Sequence, residues 1–167
     1  MKNKLNVHTS SKSDEWETPK DLFDELNKEF NFTLDPCCTK ENAKCKNNYT
    51  KNDDGLSKSW KNEIVFVNPP YGRKIGKWIK KSYEESLNGN IIVLLIPART
   101  DTLYWHNYIF NKAEIVFIKG RLKFINRSLP SYNENGKLSP APFPSAIIIY
   151  NGKNDIQKFT KRINKFI

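Results

Sequence analysis

Glycine is scarce in this chain, and its seven copies are nowhere gathered into a loop that cradles phosphate. Cysteine is scarcer. Cys37, Cys38 and Cys45 form an odd set with an adjacent pair, which suits neither a disulfide framework nor a zinc template. The two histidines, His8 and His106, stand alone, so no metal site is expected. No serine or cysteine sits in a motif that pairs it with a base, which argues against a covalent intermediate. No apolar run reaches the length of a membrane span; the longest, over residues 90–97, is strand-sized. The amino terminus is polar and lacks the apolar segment of a secretory signal. A reduced, cytoplasmic protein with no membrane attachment is the default expectation.

What the chain does have is positive charge. Its 28 Lys and Arg residues against 18 Asp and Glu give a net charge of +10 and a pI near 9.5. Such an excess favours a polyanionic partner, most simply nucleic acid. A length of 167 residues supports one domain with a real core, and no internal repeat is visible. Residues 1–13 are polar and are expected to form a flexible arm, with a single domain over 14–167.

Hydrophobic periodicity outlines the rest. Thr18-Pro19 is a helix start, with Thr18 as N-cap and Pro19 at the first helical position. The helix runs to about Glu29, and Trp16 is placed to staple onto it. Residues 30–36 alternate and then stop at Asp35-Pro36, which suggests a short strand ending in an acid. Over 37–62 a short helix near 40–45, a strand near Tyr49 and a turn at Asp53-Asp54-Gly55 are expected. Ile64 to Val67 is a buried strand, Arg73 to Leu87 a helix, and Ile91 to Ile96 a strand covered on both faces. Asp101 or Thr102 is placed to cap a helix reaching about Phe110, and strands are expected over 113–119 and 145–150. A proline-rich loop fills 126–144 and a basic helix 155–166. Strands alternating with helices make an α/β fold, mostly parallel with an antiparallel C-terminal edge. Trp60, Trp78, Trp105 and Phe124 are expected in the core.

The chemistry gathers at Val67-Asn68-Pro69-Pro70-Tyr71-Gly72. Neither proline can donate a ladder hydrogen bond, so the strand must stop at Asn68 in a stiff corner. In open α/β sheets ligands bind at that end of the strands. The Asn68 amide oxygen and a neighbouring carbonyl both accept hydrogen bonds, which suits a ligand with two N–H donors on one nitrogen. A planar exocyclic amine is such a group. Two acceptors favour a more tetrahedral nitrogen and localise its lone pair. Tyr71 offers a ring on which an unstacked base can lie.

Six segments in order resemble the phage-type, Dam-like DNA N6-adenine methyltransferases. They are Glu15-Trp16-Glu17-Thr18-Pro19, Leu34-Asp35-Pro36, Asp53-Asp54-Gly55-Leu56, residues 65–72, residues 97–102 and Gly120-Arg121-Leu122-Lys123-Phe124. The resemblance implies a Rossmann-like methyltransferase sheet, S-adenosylmethionine as cofactor, double-stranded DNA as partner, and a phage or prophage gene acting in a bacterial host. It implies that Asn68 and the Pro69 carbonyl hold the adenine amine and that Tyr71 stacks on the flipped base, with Pro70 completing the motif. It places Trp16, Thr18 and Pro19 near the cofactor's methionine end, Asp35 and Pro36 at the end of the first cofactor strand, and Asp53 or Asp54 near ribose or adenine. Of the basic residues, Arg73, Lys77, Arg99, Arg121 and Lys123 are the candidates to approach DNA.

The chain departs from larger methyltransferases in two ways. No Gly-x-Gly follows the first strand, and only about thirty residues separate Asp35 from Asn68, too few for two strand–helix units. The cofactor half is therefore abbreviated. RNA adenine or a protein glutamine amide would serve the same corner, and a non-catalytic nucleic-acid-binding module on the same fold is the third reading.

Overall fold

A computed structural model describes residues 15–125 and 138–152. The expected arm over 1–13, most of the 126–144 loop and the 155–166 helix lie outside the described residues.

The first helix, α1 (Lys20–Phe30), buries Leu22, Phe23, Leu26 and Phe30 at helical spacing. It ends where Asn31 turns left-handed and donates its backbone N–H to the Asn27 carbonyl. The Asn27 side chain then accepts the N–H of Phe32 at 2.8 Å. The N-cap is Pro19 with no side-chain cap bond, so Thr18 does not cap the helix. Its hydroxyl is engaged elsewhere. Trp16 is not a staple either, for its ring packs edge-on against Phe124 and Phe143.

Strands β1 (Leu34–Cys38), β2 (Asn47–Thr50), β3 (Ile64–Val67), β4 (Ile91–Pro97), β5 (Glu114–Phe117) and β6 (Ser145–Asn151) form one six-stranded sheet in the order β2-β1-β3-β4-β6-β5. β1, β2, β3 and β4 are mutually parallel neighbours, and β6 runs antiparallel to both β4 and β5. This is a Rossmann-like sheet, mostly parallel with an antiparallel edge, as the resemblance implies. β1 starts later than expected and passes through Pro36, so Asp35 stands inside the strand. β4 is central, with Ile92 through Ile96 fully buried.

The second helix, α2 (Ile75–Leu87), packs on β4 and β6. Its Trp78 stacks on Trp60 at 6.3 Å, and Trp60 and Trp105 are wholly buried. The helix expected to follow β4 is a short one whose last turn, Trp105–Ile109, is π-helical. α1 covers the face that carries Phe66, whose ring lies 5.1 Å from Phe23.

The abbreviation lies on the β2 side. Residues 39–46 join the parallel strands β1 and β2 through turns, and no helix forms near 40–45. A parallel crossover normally takes a dozen or more residues and a helix. The chain leaves β1 for β2 on one side and returns for β3 on the other. The sheet's switch point therefore lies between β1 and β3.

Candidate active site

Asn68 follows β3 directly, so it stands at the carboxyl edge of the sheet beside the end of β1. Its side-chain nitrogen donates to the Trp16 carbonyl at 2.6 Å and to the Thr18 hydroxyl at 2.9 Å. A carbonyl can only accept, so the nitrogen must face Trp16 and the oxygen must face away. That oxygen, Oδ1, is buried and has no hydrogen-bond partner. Buried polar atoms are nearly always paired, so this held but unused acceptor is open to a bond from a ligand or a water. The backbone N–H of Asn68 bonds to the Cys37 thiol at the end of β1.

Four aromatic rings stand beside this amide. Trp16 lies 5.7 Å from Phe124 and 5.1 Å from Phe143, while Tyr71 lies 6.0 Å and 5.5 Å from the same two rings. All four pairs are edge-to-face, a favourable geometry for rings. Tyr71 is 3% exposed, and its hydroxyl donates to the Leu95 carbonyl at 3.1 Å. The ring expected to receive a base is therefore a wall of the corner, packed on Phe124 and Phe143. Trp16 Nε1 is a second buried atom here without a partner. Pro69 is buried and Pro70 half-buried, which keeps the turn dry and stiff.

Asp35 is buried inside β1 and accepts the backbone N–H groups of Lys44 at 3.1 Å and Cys37 at 3.4 Å. Burial pushes its carboxyl from 3.8 up to about 6, and those two bonds only partly offset the loss of water. Burial also pushes the thiols of Cys38 and Cys45 up to about 12 and that of Cys37 well above its ordinary value. The thiols stay protonated, so none is a thiolate nucleophile. Among the described residues no three His, Cys, Asp or Glu side chains are grouped to hold a metal ion.

Asp53 is fully exposed and accepts the N–H and hydroxyl of Thr50 at 2.8 Å and 2.7 Å, which hold its carboxyl below the usual range. Asp54 is exposed with φ 51°, and its carbonyl accepts the Ser57 N–H at 2.9 Å. Both make the expected turn. A cavity of about 210 Å³ opens beside this turn, at the carboxyl ends of β1 and β2. Cys38, Thr39, Lys40, Thr50, Lys51 and Asn52 line it.

The basic candidates reach the same edge by topology. Arg73 and Lys77 follow β3, Arg99 follows β4, and Arg121 and Lys123 follow β5, which runs parallel to β4. All five are exposed. The segment after β5 crosses the carboxyl edge from the outer strand to Trp16–Thr18, where Glu17 and Ile125 exchange both backbone bonds at 3.0 Å and 3.4 Å. The structure thus brings Asn68, Pro69, Tyr71, Trp16 and Thr18 together and spreads the cations along the rim beside them. It does not bring Asp53 or Asp54 into hydrogen-bonding contact with that amide.

One contact of a named residue and two further residues escaped the sequence reading. The Thr18 bond to Asn68 spans fifty residues of chain and left no local signal. Phe143 stands in a proline-rich stretch that masks its burial. Lys44 pairs with Glu17 at 3.4 Å, with both side chains largely shielded, and nothing in their spacing announced it.

The chain thus sets a fixed, unpartnered amide oxygen beside the switch point of a Rossmann-like sheet. The family model for DNA N-6-adenine-methyltransferase (Dam) matches residues 6–163. A DNA N-6-adenine-methyltransferase of Haemophilus phage HP1 is 31% identical over 140 residues, covering 82% of this chain and 77% of its own. A protein of the same name from Escherichia phage T1 is 32% identical over 111 residues, covering 65% of this chain and 46% of its own. The chain therefore spans under half of the T1 protein. The chain belongs to the Dam family of DNA N-6-adenine-methyltransferases.

Proposed function

We propose that this protein transfers a methyl group from S-adenosylmethionine to the N6 amine of adenine in double-stranded DNA, acting on a base turned out of the helix. The observation that carries the reading is the buried, unpartnered Oδ1 of Asn68, with its amide nitrogen anchored on the other side. Asn68 Oδ1 and the Pro69 carbonyl accept the two amine protons and so localise the lone pair on nitrogen. The cofactor supplies an electrophilic methyl on a sulfonium. Acceptors fixed in advance where charge changes need no reorganisation during the reaction.

The residues present fit such a cofactor. The 210 Å³ cavity at the ends of β1 and β2 lies below the ~300–1,000 Å³ typical of a complete ligand site, so it suits one end of the molecule. Thr39, Thr50 and the 50–53 turn would hold the nucleoside end there. Trp16 and Thr18 stand nearer the amine.

The exposed cations Arg73, Lys77, Arg99, Arg121 and Lys123 flank the corner and favour a nucleic-acid backbone over a protein loop. The relatives' names favour DNA over RNA. The test uses radiolabelled S-adenosylmethionine and unmethylated duplex DNA, with the product identified as N6-methyladenine. Asn68→Ala should lower kcat by about 10²–10³ while the circular dichroism spectrum is retained. Transfer only to RNA or to a protein glutamine would overturn the assignment, and no cofactor binding by calorimetry would overturn the enzyme.

A further inference from the structure

Resting on the reading of Asn68 as the amine acceptor, we propose that Thr18 is a positioning residue. Its hydroxyl, together with the Trp16 carbonyl, fixes the Asn68 amide so that Oδ1 and not Nδ2 faces the substrate.

A carboxamide is nearly symmetric in shape but opposite in function at its two ends. Turned one way, Asn68 accepts an amine proton; turned the other, it presents a donor to a donor. The choice between the two is made behind the amide. The Trp16 carbonyl at 2.6 Å and the Thr18 oxygen at 2.9 Å occupy both protons of Nδ2. A flipped amide would set Oδ1 against the Trp16 carbonyl oxygen, which can only accept, and would force the Thr18 hydroxyl to donate to it instead of accepting from Nδ2. Thr18 is 2% exposed, so water does not compete for its oxygen.

The two acceptors are held by one short, stiff segment. Glu17, between them, is bridged to Ile125 by two backbone bonds, and Lys44 grips its carboxylate. Pro19 follows with φ −55° and ψ 138°.

The helix next door shows what that bond displaces. A threonine at the mouth of α1 would ordinarily cap it, yet α1 has no side-chain cap bond. Its hydroxyl is withheld from the helix and spent on the amide fifty residues away. Local stability is given up where the site needs a fixed rotamer, as expected of a functional position.

This role separates experimentally from a cofactor contact. Thr18→Val and Thr18→Ser would be compared with wild type in the full chain. The readouts are kcat, KM for S-adenosylmethionine and for duplex DNA, and the Asn68 side-chain amide resonances of the ligand-free, ¹⁵N-labelled protein. Thr18→Val should lower kcat by about 10- to 100-fold with both KM values within about threefold, as for loss of a group that orients a reacting one. Its Asn68 amide protons should shift and exchange faster. Thr18→Ser, which keeps the oxygen, should recover kcat to within about threefold of wild type. Should Thr18→Val fail to fold, Thr18→Ala removes the same acceptor and takes its place. The proposal is overturned if kcat holds while cofactor KM rises, if the Asn68 resonances do not move, or if the serine variant is as impaired as the valine one. Absence of methyl transfer by wild type would defeat the proposed function instead, and the Asn68 resonances alone would then decide the positioning contact.

Discussion

Replacing Asp35 with asparagine should remove one limb of this protein's pH–stability curve. Asp35 is 4% exposed inside β1, and loss of water raises its carboxyl from 3.8 to about 6. The backbone N–H groups of Lys44 and Cys37, and the Lys44 charge, pull the other way without offsetting it. Between those two pH values the native protein binds a proton that the unfolded chain has released. The native state thus holds more protons, and its stability falls as pH rises through that window. The contribution is complete below 3.8 and gone above about 6. At about 1.4 kcal/mol per pH unit, the gap amounts to roughly 3 kcal/mol. Urea unfolding followed by tryptophan fluorescence, run on wild type and Asp35→Asn from pH 4 to pH 8, measures it. Other carboxylates cancel in the difference, which should move toward the variant by most of that amount between pH 4 and 7. A difference that stays flat, or moves toward wild type as pH rises, would show that hydrogen bonds and not desolvation govern Asp35.

Three further outcomes follow from named contacts. A methyl group at Gly55 would lie 2.0 Å from the Pro36 carbonyl oxygen. Gly55→Ala must therefore push the 53–55 turn off β1 and strain the Trp60 indole bond to the Gly55 carbonyl, for a loss above about 3 kcal/mol in urea unfolding. Tyr71→Phe removes the bond to the Leu95 carbonyl but keeps the ring against Phe124 and Phe143. Stability should drop by about 1 kcal/mol with methyl transfer within about threefold of wild type, and a collapse of kcat would assign chemistry to the hydroxyl. Arg99→Ala and Arg121→Ala should each weaken DNA binding regardless of sequence and reduce the slope of log affinity against log salt by about 1, whereas an unchanged slope removes that residue from phosphate.

The sheet was legible because its strands are local signals. Ile64–Val67 and Ile91–Pro97 are short apolar runs, and proline ends each of them. The antiparallel C-terminal edge was expected and is found, with β6 antiparallel to β4 and β5. The corner was legible for the same reason, since Asn-Pro-Pro-Tyr fixes its own backbone. The errors fell where tertiary contact overrode local preference. Thr18 looked like a cap because capping needs only its neighbours, and it was drawn away by Asn68. Trp16 looked like a staple and was drawn to Phe124 and Phe143. Residues 40–45 looked weakly helical, yet the connection there is too short and too tightly tied to β1 to wind a helix.

That short connection gives the buried, costly aspartate a structural role. A parallel crossover without a helix leaves its backbone groups to be satisfied by side chains, one at a time. Asp35 takes the N–H of Lys44, Asn42 takes that of Thr39, and Asn48 donates to the carbonyls of Cys45 and Lys46. Lys44, once pinned by its backbone, extends its ammonium to Glu17. Glu17 lies between the two residues that hold the Asn68 amide, and its backbone is paired with Ile125 from the basic rim. The abbreviated half of the sheet is thus joined by a chain of direct contacts to the Asn68 amide, the proposed acceptor. An uncharged residue at position 35 would make a more stable strand, but it would loosen the connection that steadies Glu17. The Asp35→Asn variant should therefore gain stability at neutral pH and lose kcat together, and that coupling is what a merely tolerated buried acid would not produce.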